Sequence, residues 1–301
     1  MKCIYMGTPD FAVPCLERLI EIGANIPCVV TQPDKPVGRK QTLTPPPVKS
    51  LALSHGLQVY QPDTLKTDEA YEYLKAFEPD FIVVAAYGKI LPKRILEIPK
   101  IACVNIHGSL LPRYRGAAPI QRAVIDGEKQ TGLTTMLMSE GLDCGDILLT
   151  ETVNIGENET AGELFDRLAA LGPDLLIKTL DGLMKNEITP IKQDDAAATY
   201  AAMLSKQEAL IDWNRSREEI FNLIRGMNPW PIAFTEVGGR KIKIFSSEKT
   251  NDISSEPVGT VFAKDGKIFA VCADGVLRIT SLQAEGSKRM SDREYLNGHS
   301  L

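Results

Sequence analysis

The chain has 301 residues, a formal net charge of −5, 44% hydrophobic and 24% charged residues. That is an ordinary globular mixture, and it excludes fibrous, disordered and strongly basic classes while leaving room for about two domains. No window approaches ~18 uninterrupted apolar residues, and MKCIYMGTPDF reaches Gly7 and Pro9 before a signal-length apolar core develops. A cytoplasmic protein with no membrane partner is therefore expected.

In chain order, KCIYMG, IPCVVTQ, FIVVAAYG and IACVNIHG are short and almost wholly apolar, as strands covered on both faces are. Helical patterns separate them. FAVPCLERLIEIG follows Thr8 and Pro9, read as N-cap and first-turn proline, and stops at Gly23; DEAYEYLKAF is a second. Strand and helix alternating at this length predict a Rossmann-like, doubly wound, mostly parallel sheet over residues 1–185. AAPIQRAVIDG, LTTMLM, ILLTETV and ETAGELFDRLAALGPDLLIKTLDGLM complete that region as helix, strand, strand and long helix. Periodicity fades over 186–206, as in a linker. Residues 207–301 change texture: the helical SREEIFNLIRGM is followed by AFTEV, KIKIFSS, GTVFAK, KIFAVC and VLRITSLQ with Gly or Asp turns between them. This spacing predicts a small antiparallel barrel or sandwich. Trp213 and Trp230 are read as packing residues rather than base-stacking platforms.

In VNIHGSLLPRYRG, Asn105 and His107 are two apart on a strand, so they share a face at the carboxyl end where open α/β sheets bind ligands. On the pair alone, a satisfied core histidine beside a turn asparagine is an equal reading. Two features shift the balance. The loop from Ser109 to Gly116 is too apolar for a plain surface connection and can wall a pocket for a flat ligand. GLDCGD places acids, Asp143 or Asp146, where a carboxylate can orient a histidine for acid–base work. Gly7 has no G-x-G-x-x-G continuation, which argues against a dinucleotide cofactor. The six cysteines show no C-x-x-C spacing, so a metal site is not expected and packing thiols are. The stretch from Gln32 to Pro47 is too long and proline-rich for an ordinary βα connection, and loops of that length are usually functional or disordered.

NIHGSLLPRYRG followed by GLDCGD resembles the folate-dependent formyltransferases, and MGTPDFAVP, TQPDKPVGRK, AAYGKILP, RGAAPIQRA and NPWP extend the resemblance over nearly the whole chain. It implies a formyltransferase fold with a smaller OB-like C-terminal barrel that supports tRNA. It implies transfer of the formyl group of 10-formyltetrahydrofolate to the α-amine of methionyl-initiator tRNA, without a metal, by a monomer. The implied catalytic residues are Asn105, His107 and Asp143. The implied folate-binding residues are Ser109, Leu110, Leu111 and Pro112 with Ile90, Leu91 and Pro92. Arg39 matches a tRNA-contacting arginine, and Lys35 and Lys40 accompany it. An amino-sugar nucleotide or glycinamide ribonucleotide acceptor, and a non-catalytic RNA-binding protein on the same scaffold, are the alternative readings.

Overall fold

The computed structural model describes residues 1–38 and 40–299; Arg39, Ser300 and Leu301 lie outside the described residues. The chain forms two compact units, and it passes between them repeatedly. The first comprises residues 1–117, 132–153 and 165–201; the second comprises 118–131, 154–164 and 202–301.

The first unit is built on β1 (Cys3–Gly7), β2 (Val29–Val30), β5 (Val59–Tyr60), β6 (Phe81–Ala85), β7 (Ala102–His107), β9 (Gln130–Leu137) and β10 (Ile147–Asn154). They form one sheet in the order β10-β9-β7-β6-β1-β2-β5. From β5 through β7 the neighbouring strands are parallel, and β9 lies antiparallel to β7. Every residue of β1, β6 and β7 is buried, so the unalternating apolar runs are strands with both faces covered. The helices between them are α1 (Val13–Glu21), α2 (Pro47–Ser54), α3 (Asp68–Lys75) and α4 (Lys93–Leu96). Thr67 caps α3 by accepting the Ala70 N–H, and Asp68, Glu69 and Lys75 complement its dipole. Thr8 does not cap α1. A 3-10 turn at Asp10–Ala12 precedes that helix, and the Thr8 hydroxyl instead donates to the Tyr87 carbonyl.

The connectivity reverses at one point in the sheet. After β1 the chain winds outward through β2 and β5, then returns to place β6 on the other side of β1. The order therefore reverses between β1 and β6, whose carboxyl ends abut with Gly7 opposite Ala85. A doubly wound sheet opens its binding crevice at such a point.

The second unit contains α5 (Pro119–Ile125), α7 (Arg217–Gly226), α8 (Asp292–Gly298) and an antiparallel sheet. Its strands are β12 (Phe234–Val237), β13 (Arg240–Lys249), β14 (Val261–Lys264), β15 (Lys267–Cys272), β16 (Gly275–Ala284) and β17 (Met290–Ser291). They run β12-β13-β16-β15-β14, with β17 on β16. The expected antiparallel texture is present as this six-stranded sheet. Capping boxes start α7 at Ser216 with Glu219 and α8 at Ser291 with Glu294, each such cap being worth about 1 kcal/mol. Trp213 lies in this unit's core with its Nε1–H donated to Thr235, whereas Trp230 is 52% exposed and is not a core residue. The long helix α6 (Ala161–Met184) runs through Pro173. No helix among the described residues is long and apolar enough to cross a membrane.

Candidate active site

Asn105 and His107 point to one face at the carboxyl end of β7, as their spacing requires. Both are more than nine-tenths buried. His107 Nε2 lies 2.9 Å from the Tyr114 carbonyl oxygen. A carbonyl only accepts, so Nε2 carries a hydrogen and donates it. On the other side of the ring, Nδ1 stands 3.6 Å from Asp143 Oδ2, an ion-pair separation too long for a hydrogen bond. Among the described residues the Asn105 carboxamide has no protein hydrogen-bond partner, although the residue is 7% exposed. Neither its oxygen nor its nitrogen is among the enclosed polar atoms left without a partner, so the amide reaches solvent at the end of this central strand, where a ligand can meet it.

Asp143 is brought to the histidine by backbone rather than by its own packing. The Gly116 N–H donates to Asp143 Oδ2 at 2.9 Å, and Asp143 itself adopts φ +49°. Such a conformation costs a non-glycine residue about 1–3 kcal/mol and persists only where neighbours hold it. Asp146 contributes its carbonyl to the Leu137 N–H, a ladder contact that ties the turn to β9.

Three consecutive residues therefore serve the site: the Tyr114 carbonyl accepts the histidine N–H, Arg115 is a buried cation and the Gly116 N–H holds the aspartate. Arg115 donates to Gln193 at 3.0 and 2.8 Å and to Asp195 at 2.8 Å. Burial opposes its charge, but hydrogen bonds to Asp195 and Tyr200 outweigh burial and raise its pKa above the usual arginine value. This stretch is fixed by pairing of β8 (Arg115–Gly116) with β11 (Tyr200–Ala201). Gly116 has φ +119°, and a Cβ there would lie 2.8 Å from the Ala201 carbonyl oxygen. Gln193 and β11 both fall in the segment that the sequence marks as a linker. Nothing in its periodicity announces them, since isolated polar side chains and two-residue strands carry none.

The loop that follows β7 is tied internally. Ser109 Oγ donates to the Arg113 carbonyl, and the Thr134 hydroxyl donates to the Ser109 carbonyl, each at 2.7 Å, while the Leu111 N–H reaches Thr134. Ser109 and Leu111 are buried and Leu110 and Pro112 partly so. In the loop after β6, Leu91 is in the core, Pro92 is half-buried at the start of α4 and Ile90 is 70% exposed. This loop leaves the strand beside β7, where Val84 pairs with Asn105.

The stretch from Gln32 to Pro47 contains a β-hairpin, β3 (Lys35–Val37) with β4 (Thr42–Thr44), whose six strand residues are all exposed. Lys35 donates to Gln32, Lys40 is exposed, and Arg39 lies outside the described residues. At the hairpin's base Asp34 accepts from Gln61 and Lys49, bonds that hold its carboxyl below the usual value. No group of three or more His, Cys, Asp or Glu side chains suited to a metal ion occurs among the described residues.

A Rossmann-like sheet that sets a carboxamide and a histidine at one strand end, with a carboxylate from a nearby turn facing the histidine, has the groups that group transfer needs. The formyl transferase family model matches residues 1–180, and the model of the formyl transferase C-terminal domain matches residues 203–300. The chain belongs to the formyl transferase family. It is similar over its full length to methionyl-tRNA formyltransferases. The one from Clostridium novyi (strain NT) is 50% identical, with 100% of this chain and 98% of that protein covered. The one from Alkaliphilus metalliredigens (strain QYMF) is 51% identical, covering 100% of this chain and 96% of that protein. Solved structures share the fold. The methionyl-tRNA formyltransferase from Clostridium thermocellum gives a TM-score of 0.57 at 21% identity over 93% of this chain and 99% of that one. WlaRD, a sugar 3N-formyl transferase solved in the presence of dTDP and 5-N-formyl-THF, gives 0.67 at 20% identity over 95% and 98%.

Proposed function

We infer that the chain transfers the formyl group of 10-formyltetrahydrofolate to the α-amine of methionyl-initiator tRNA in the cytoplasm, as a monomer and without a metal. Half-identity over the full chain to proteins of that activity supports the acceptor. The observation that carries the chemistry is the open Asn105 amide beside the His107–Asp143 pair.

The donor supplies a formyl carbon bonded to a nitrogen that can leave. Asn105 donates an N–H to the formyl oxygen as it gains negative charge, a contact worth about 3 kcal/mol in comparable acyl transfers. The carbon–nitrogen bond to the methionyl amine forms as the bond to N10 breaks, and the amine proton passes to the leaving N10. His107 can serve that transfer only through Nδ1, because Nε2 is committed to the Tyr114 carbonyl. Asp143 faces Nδ1 and stabilises a proton held there. The folate reading draws on the loops 109–112 and 90–92. Exposed Ile90 offers apolar surface to a flat ring, while buried Ser109, Leu111 and Leu91 shape the loops that carry it.

The acceptor reading rests on the hairpin and the second unit, read as the OB-like domain that supports tRNA over residues 207–301 beyond a linker at 186–206. Lys35, Lys40 and Arg39 are assigned to phosphate contacts by charge. The deciding assay measures formyl transfer to charged initiator tRNA, free methionine and an amino-sugar nucleotide in parallel. Transfer to the sugar nucleotide alone refutes the acceptor while keeping the chemistry.

A further inference from the structure

The main chain around Asp143 is held by a side chain fifty residues away. Gln193 Nε2 donates to the carbonyl oxygens of Asp143 at 2.9 Å and Gly145 at 2.7 Å. Its Oε1 accepts from Nε and Nη2 of Arg115. A carboxamide has two N–H groups and an oxygen with two lone pairs, and here all four are used. Arg115 also fixes which way the amide points. Turned over, Gln193 would aim its NH2 at guanidinium donors and its oxygen at two carbonyls, so four attractive contacts would become repulsive. At 5% exposed, the residue has no route to relax through solvent.

We propose that Gln193 is a positioning residue for the transfer. It clamps the turn that carries Asp143, so that the carboxylate faces His107 Nδ1 with one oxygen on the Gly116 N–H. The clamp rests on the reading of Asn105, His107 and Asp143 as the reacting set. Without it, the Asp143 carboxylate keeps the Gly116 N–H, but nothing from Gln193 steadies the carbonyl of its left-handed conformation. The consequence falls on the chemical step, since the polar atoms of Gln193 are engaged within the protein, with Asp143, Gly145 and Arg115.

The test is a double-mutant cycle on the full chain, with kcat, both KM values and the thermal midpoint measured for Gln193→Leu, Asp143→Ala and the double variant. Gln193→Leu is expected to lower kcat about tenfold or more, with each KM within about threefold of the parent. In the Asp143→Ala background the same change is expected to cost less than about twofold, because the group it positions is gone. Equal losses in both backgrounds, an unchanged kcat, or a loss confined to KM overturns the clamp. An Asp143→Ala enzyme near parental activity overturns the reading of the site instead, whatever Gln193→Leu does. Should Gln193→Leu not fold, Gln193→Glu keeps the size and the Arg115 pairing but turns a carboxylate oxygen toward two carbonyls. It is expected to show the same kcat loss and the same non-additivity, and a parental kcat overturns the proposal.

Discussion

The backbone carbonyl of Tyr114 accepts a hydrogen bond from His107 Nε2 at 2.9 Å, so the main chain decides which ring nitrogen is free. Nitrogen-15 spectra of the folded protein are expected to show the neutral ring as the Nε2–H tautomer. A pyridine-type Nε2 at neutral pH refutes the assignment. His107→Ala is expected to fold and to lose formyl transfer by about two to four orders of magnitude, the usual range for a positioned acid–base group.

Asn105→Ala removes an amide that bonds to nothing else among the described residues. Activity is expected to fall about 10²- to 10³-fold, as for loss of one oxyanion donor. The thermal midpoint is expected to move little, because no internal bond is broken. A large stability loss with activity retained per folded molecule contradicts the reading.

Gly116→Ala tests the support beneath the site. A side chain at φ +119° costs about 1–3 kcal/mol, before the contact with Ala201 is relieved. Urea denaturation is expected to show destabilisation of at least that size, together with a loss of transfer. A parental midpoint means that the pairing of β8 with β11 is softer than described.

The hairpin at 35–44 buries none of its strand residues, so removing its charges leaves folding alone. Lys35→Ala with Lys40→Ala is expected to raise KM for charged tRNA and leave KM for the folate donor unchanged. The salt dependence of tRNA binding should flatten by about one unit of log–log slope for each phosphate that a lysine no longer neutralises. An unchanged slope removes these lysines from the interface.

Burial pushes the thiols of Cys3, Cys15 and Cys272 up to about 12 and that of Cys28 to about 11, and Cys103 is also raised by burial. Cys144 alone is not buried, and it sits between Asp143 and Gly145. At pH 8 a thiol reagent is expected to modify one cysteine in the native protein, with loss of activity in step. Cys144→Ser should abolish both, and several fast-reacting thiols contradict the burial.

Much of the first unit was legible because its strands are unbroken apolar runs: KCIYMG and IACVNIHG became β1 and β7, and Asn105 and His107 followed from period two. Other features left no pattern to read. β2 is only Val29–Val30 inside a longer apolar run, the hairpin's strands alternate nothing because no face is buried, and β8 and β11 are two residues each. Thr8 reads as a cap and is drawn instead to the Tyr87 carbonyl, a partner 79 residues away. Local propensity yields there to a tertiary contact. The Arg115–Gln193 link is of the same kind, since it joins residues 78 apart.

The interleaved path of the chain bears on its synthesis. As the polypeptide leaves the ribosome, residues 1–117 lack the strand at Tyr200–Ala201 that braces Arg115 and Gly116, and α5 has only residues 118–131 and 154–164 of its own unit until those from 202 onward appear. Nascent domains generally fold as complete units, beginning at the amino terminus. Here the turn that carries Asp143 is made well before the last residues of its unit. A protein stopped at residue 185 carries Asn105, His107 and Asp143 yet lacks Gln193, so a translation product can hold all three and still be without the side chain that bonds the main chain at Asp143 and Gly145.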